Sequence, residues 1–197
     1  MAREFAGLLW CPIALPPFPY ADMDFVEHTD QFDGYDWQCA KITLPNSEPH
    51  AATKLDPAAL ARWPLLEPWL GLLPIRTIRG IWLHCQIAAA NPHYDFDQPQ
   101  VKALYDNNKI NEPSGYRVLI KGRRQQGLYL LRNGVKTHVE LPHDTDTHVL
   151  GATNCLHGVE TEPGRKSMHI HLEIDDLRHQ ELLRTSLARY ADYAIWD

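Results

Sequence analysis

From residue 75 to about residue 175 the chain is written in short strand-like runs separated by turn residues. Residues 115–121 alternate cleanly, with Tyr116, Val118 and Ile120 on one face and Arg117, Leu119 and Lys121 on the other. Residues 128–131 and 135–141 flank Arg132-Asn133-Gly134, and Asn-Gly is the preferred sequence for a two-residue type I′ hairpin turn. Residues 75–90, 147–152, 154–159 and 166–174 supply further strands. Many short antiparallel strands at turn spacing make a sandwich or barrel, here with helices at its flanks.

What surrounds this series is of a different kind. Residues 11–20 hold four prolines and read as an extended arm over the domain, neither helix nor central strand. Asp56 followed by Pro57 is a helix start, cut short by Pro64, Pro68 and Pro74. Residues 176–191 form an amphipathic helix with Leu177, Leu182, Leu183, Leu187 and Tyr190 on or near one stripe. The chain therefore divides into an arm with helical support (1–74), a β core (75–175) and a C-terminal helix and tail (176–197), all in one domain. The polar segment 96–114 interrupts the strands, as a lid or binding loop does.

Composition narrows the function. The 197 residues carry a net charge of −6, with 44% apolar and 22% charged side chains, which describes an ordinary folded chain. Mild acidity argues against a nucleic-acid binder, and no apolar run reaches the ~20 residues that span a bilayer. With no leader-like start, the expected location is the cytoplasm. Cys11, Cys39, Cys85 and Cys155 are scattered and expected to be reduced, and they form no thiolate zinc motif. Eleven histidines are a first pointer to metal chemistry.

The chemistry concentrates at Asn91-Pro92-His93-Tyr94-Asp95. On a strand His93 and Asp95 share a face. His157 lies in another strand-like segment, and two imidazoles with one carboxylate make a facial triad suited to non-haem Fe(II) and oxygen. Such a set leaves positions for a bidentate 2-oxo acid and for O2. Downstream, Arg165-x-Ser167 offers a guanidinium and a hydroxyl that could clamp a remote carboxylate.

These residues resemble the Fe(II)/2-oxoglutarate-dependent dioxygenases. Residues 92–96 (Pro-His-Tyr-Asp-Phe), then 116–120, then Asn154-x-x-His157 resemble more narrowly the aspartyl/asparaginyl β-hydroxylase group, which includes bacterial hydroxylases of free amino acids such as proline. The resemblance covers about residues 75–175 and implies a double-stranded β-helix, the jelly-roll form shared with cupins. It implies Fe(II) on His93, Asp95 and His157, with 2-oxoglutarate and O2 as co-substrates. It also implies hydroxylation of an unactivated C–H in a small carboxylated molecule or an amino-acid side chain, with release of succinate and CO2. Arg117 matches the group's pocket arginine that meets a carboxylate. Asp95 favours the bacterial small-molecule branch, because the animal β-hydroxylases lack the triad carboxylate. The step of eight from His157 to Arg165, where about ten is usual, puts Arg165 at a strand start and makes His169 a second candidate for the anchor. Trp82, Tyr94 and Arg117 are candidate substrate-wall residues.

Other readings start from the same strands. His169, His171 and Glu173 share one face and could hold a metal of their own, as in a cupin-type isomerase or hydrolase, or form an ordinary polar face. A non-catalytic jelly-roll binding module is the third reading. His138, His143 and His148 surround a turn and are expected to be solvated. The proline-rich arm and the tail 193–196 are the apolar candidates for contact in a homodimer.

Overall fold

The strand-forming part of the chain runs back and forth between two antiparallel sheets. The computed structural model describes residues 4–24, 37–48, 51–95, 115–151 and 155–197, so the 96–114 segment and Asn154 lie outside the described residues. The strands are β1 (Leu8–Pro12), β2 (Trp37–Lys41), β3 (Ile75–Gln86), β4 (Ala90–His93), β5 (Gly115–Lys121), β6 (Gln125–Arg132), β7 (Val135–Glu140), β8 (Thr147–Leu150), β9 (His157–Val159), β10 (Lys166–Ile174) and β11 (Ile195–Trp196). The larger sheet has the order β11-β1-β8-β5-β10-β3-β2, and the smaller β4-β9-β6-β7. From β3 to β10, chain order thus changes sheet at every step except β6 to β7, which pair within the smaller sheet. That is the winding of a double-stranded β-helix, as the resemblance implied.

Alternation explains why two cores form. On β5, Tyr116, Val118 and Ile120 face one core, shared with Ile81, Leu83, Met168, Ile170 and Leu172. Leu119 faces the other, between the sheets, with Trp10, Leu128, Leu130, Val139, Leu150 and Val159. The turn at Asn133 (φ 49°) and Gly134 (φ 79°) joins β6 to β7 with Arg132 opposite Val135, as Asn-Gly predicts.

The outer face of the larger sheet is covered by helices. In α1 (Pro57–Arg62) the Asp56 carboxylate caps the helix by accepting from Ala58 N at 2.8 Å, with Pro57 as its first residue. The following α2 (Leu66–Leu70) buries Leu66, Trp69 and Leu70 in the outer core. The third helix, α3 (Asp176–Tyr190), turns His179, Leu183, Ser186 and Tyr190 inward. Leu177 is 81% exposed, so it leaves the stripe expected of it; it stands in the first turn, beside the Asp175 cap. Polar contacts pin this layer: Tyr116 Oη lies 2.7 Å from His179 Nδ1, and Ser186 Oγ accepts from Ala14 N at 2.9 Å.

The arm differs in part from expectation. Cys11 and Pro12 close β1, an interior strand of the larger sheet, because Pro12 stands at the strand's end, opposite His148. Beyond it the arm is extended and buries Ile13 and Phe18, with Trp69 Nε1 donating to the Pro16 carbonyl at 3.3 Å. All four cysteines are thiols. No helix among the described residues is long and apolar enough to cross a membrane.

Gly158 holds β9 close to its neighbours. A Cβ there would stand 2.5 Å from Tyr129 Oη and 2.8 Å from the Ala90 carbonyl oxygen. Gly158→Ala is expected to destabilise the protein by about 1–3 kcal/mol, lowering the thermal midpoint by several degrees. Adding Tyr129→Phe should restore only part of the loss, since the ring Cζ (2.7 Å from the added Cβ) and the Ala90 carbonyl oxygen both remain in the way; full recovery would refute the clash.

Candidate metal centre

The smaller sheet brings two of its histidines, His93 and His157, face to face. β4 ends at His93, β9 begins at His157, and the two are direct partners in the antiparallel register. Asp95 lies in the turn just after β4, not on the strand, yet its carboxylate reaches the same point. Asp95 Oδ1 is 3.4 Å from His93 Nε2 and 3.3 Å from His157 Nε2, and the rings' centroids are 4.6 Å apart. One ligand atom from each of the three residues lies within 4.8 Å of the others.

The tautomers follow from the backbone. His93 Nδ1 lies 2.7 Å from the Asn91 carbonyl oxygen and His157 Nδ1 lies 2.9 Å from that of Cys155. Each Nδ1 must donate there, which leaves both Nε2 lone pairs aimed at the Asp95 carboxylate. Lone pairs meeting a carboxylate oxygen at this range repel unless a proton or a metal ion stands between them. The donor set, two imidazoles and one carboxylate, fits a divalent first-row ion.

Charges nearby poise the set. Burial pulls the Asp95 carboxyl upward, but the Arg117 guanidinium and His157 outweigh it and hold it well below the usual carboxylate range. Burial pushes His157 down. Burial also works against a charged His93, yet its bonds to Asp95 and Asn91 prevail and raise it. Arg117, 8% exposed at its side chain, comes from β5 on the larger sheet; its Nη2 donates to Asp95 Oδ2 at 2.6 Å and stands 3.4 Å from His157 Nε2.

Behind the triad, the larger sheet presents a polar row. In register across β8, β5, β10, β3 and β2 stand His148, Arg117, His169, Trp82 and Lys41. The next row carries Leu119, Ser167, His84 and Cys39. The His84 and His169 rings stack, with centroids 4.0 Å apart at 13°. Burial lowers His84 to about 3 and His169 well below its usual value, so both imidazoles are neutral. Arg165, only 4% exposed, sets Nη1 3.4 Å from Ser167 Oγ, which in turn lies 3.2 Å from His169 Nε2. The predicted Arg165–Ser167 pair is therefore formed, within the wall of the site, and burial lowers Arg165 to about 10.

The remaining expectations divide. Trp82 lies on this face, its ring folded over Gly80 against His171 (4.6 Å) and under the Lys41 ammonium (5.4 Å). Tyr94, between the two ligands, is 41% exposed. Glu173 does not join His169 and His171 in a ligand set; it pairs with Arg76 and Arg79. Among the described residues, His93, Asp95 and His157 are the one converging group of three metal-ligating side chains. His143 is exposed and His138 meets Glu160 at 3.1 Å, but His148 is not solvated as expected; at 1% exposure it packs beside Trp10 and Arg117. The strand expected over 147–152 is present as β8, but it lies between β1 and β5 inside the larger sheet, which buries His148. His84 went unnoticed, although period-two alternation places it on the face of Trp82.

No known protein-family model matches the chain, and no curated protein matches it. A solved structure of an oxidoreductase of the 2OG-Fe(II) oxygenase family from Burkholderia pseudomallei is similar at 13% identity and a TM-score of 0.41. The similarity covers 68% of this chain and 66% of that one, a little under two thirds of its length.

His148 makes the site's stability depend on pH. Burial holds it well below its usual value, and neither ring nitrogen has a hydrogen-bond partner among the described residues. The unfolded chain takes up that proton below about pH 6.5 and the folded chain does not, so stability is lost as the solution is acidified, by up to about 1.4 kcal/mol per pH unit. Denaturant unfolding of His148→Phe between pH 6.5 and 4.5 should show a shallower decline than the unsubstituted protein. Equal slopes would show that His148 takes up its proton in the folded state.

Proposed function

We propose that the protein is a non-haem Fe(II)/2-oxoglutarate-dependent dioxygenase that hydroxylates an unactivated C–H of a small carboxylated substrate. A free amino acid or an amino-acid side chain has that chemistry. The observation that carries this reading is the convergence of His93 Nε2, His157 Nε2 and Asp95 Oδ1, with both other ring nitrogens tied to backbone carbonyls. Fe(II) held there would supply oxidative decarboxylation of 2-oxoglutarate by O2, yielding succinate, CO2 and the hydroxylated product.

The chain's own residues bind and orient. His93, Asp95 and His157 occupy one face of the centre and leave the opposite face to ligands. Arg117 and Arg165 are buried guanidinium groups, while His84, His148 and His169 beside them are neutral. With a divalent ion on Asp95, and Glu162 offsetting Arg165, the site is left with two surplus positive charges, which a dicarboxylate balances. Ser167 and His169 extend that recognition along β10. Trp82 and the stacked His84 and His169 rings stand on the same face of the larger sheet, where the substrate would lie.

The test is anaerobic. Fe(II) and 2-oxoglutarate added to the metal-free protein should give a weak visible charge-transfer band, absent in His157→Ala. In air, succinate formation should fall at least a hundredfold in Asp95→Ala. Tight zinc binding with no band and no succinate would overturn the assignment.

A further inference from the structure

Arg117 touches two of the three candidate ligands through one nitrogen: Nη2 donates to Asp95 Oδ2 at 2.6 Å and to the lone pair of His157 Nε2 at 3.4 Å. His157 Nε2 has one lone pair, because its Nδ1 proton is committed to the Cys155 carbonyl. A metal ion on His157 needs that lone pair, so ion and guanidinium cannot both hold it. We infer that Arg117 is the counter-cation of the metal-free centre, and that metal loading releases it to receive the carboxylate of the incoming acid.

The release has a physical cause on each side. A divalent ion on Asp95 Oδ1 draws off the charge that holds the guanidinium and repels it directly. Once loosened, Arg117 has no second anion in its sheet row, where its register partners are His148 on β8 and His169 on β10. A buried guanidinium without a counter-ion is costly, so it takes one from the ligand. Occupancy of the metal site and of the anion site is therefore coupled, with Arg117 as the link. The inference rests on the dioxygenase reading for the identity of metal and acid.

Calorimetric titration with Mn(II) alone and with 2-oxoglutarate separates the roles. In Arg117→Gln the Mn(II) affinity should stay level or rise several-fold, while 2-oxoglutarate affinity of the Mn(II)-loaded protein falls at least tenfold. A group that merely orients Asp95 would show the opposite, weaker Mn(II) binding, and that result overturns the proposal. A second measurement covers the case in which Arg117→Gln fails to fold. Without metal, Asp95→Asn should bind 2-oxoglutarate at least tenfold more tightly than the unsubstituted protein, since Arg117 has lost its internal partner. Where the double variant Asp95→Asn/Arg117→Gln folds, that gain should vanish; a gain that survives there, or no gain in Asp95→Asn, overturns the proposal. Failure of the parent reading looks different, because the Mn(II)-loaded unsubstituted protein would then not bind 2-oxoglutarate.

Discussion

The register between β4 and β9 governs the site, since it sets His93 opposite His157 and leaves Asp95 one turn away. A slip of one residue in that pairing would send one imidazole to the far side of the sheet. Gly158, directly after His157, admits Tyr129 Oη and the Ala90 carbonyl where a side chain would begin. The close packing that fixes the register therefore lies beside the residue it positions. Backbone carbonyls at Asn91 and Cys155 then orient the rings from their Nδ1 side.

Much of this was legible in the sequence because it depends on local pattern. Period-two alternation separates the two cores along β5, Asn133-Gly134 marks its hairpin, and Asp56-Pro57 marks a helix start. The triad residues stood out through spacing and chemistry. What stayed hidden depends on neighbours distant in the chain. Pro12 fits within an interior sheet position because it stands at the end of β1, and Leu177 is exposed because the inward face of α3 begins at His179. His148, in a strand beside a turn, was expected to be solvated, but β1 and β5 enclose it.

Arg117 shows why motif and geometry must be read together. Its alternation placed it in the pocket, but not against Asp95, since β5 and the turn after β4 belong to different sheets. Its bond to Asp95 spans the gap between the sheets with opposite charges. Breaking such a buried pair from one side costs about 3–5 kcal/mol. The centre is consequently bound up with the stability of the jelly roll as well as with its chemistry.

The two sheets also divide the work. His93, Asp95 and His157 come from the smaller sheet and its adjoining turn, whereas Arg117, Ser167, His169, Trp82 and His84 all project from the larger one. On the proposed dioxygenase reading, metal binding and ligand choice would therefore sit on separate surfaces. Substitutions along β3, β5 and β10 would then retune which acid is recognised while the histidine–carboxylate set stays as it is. For engineering on that reading, the larger sheet would be the selectivity dial and the smaller sheet the fixed reactor.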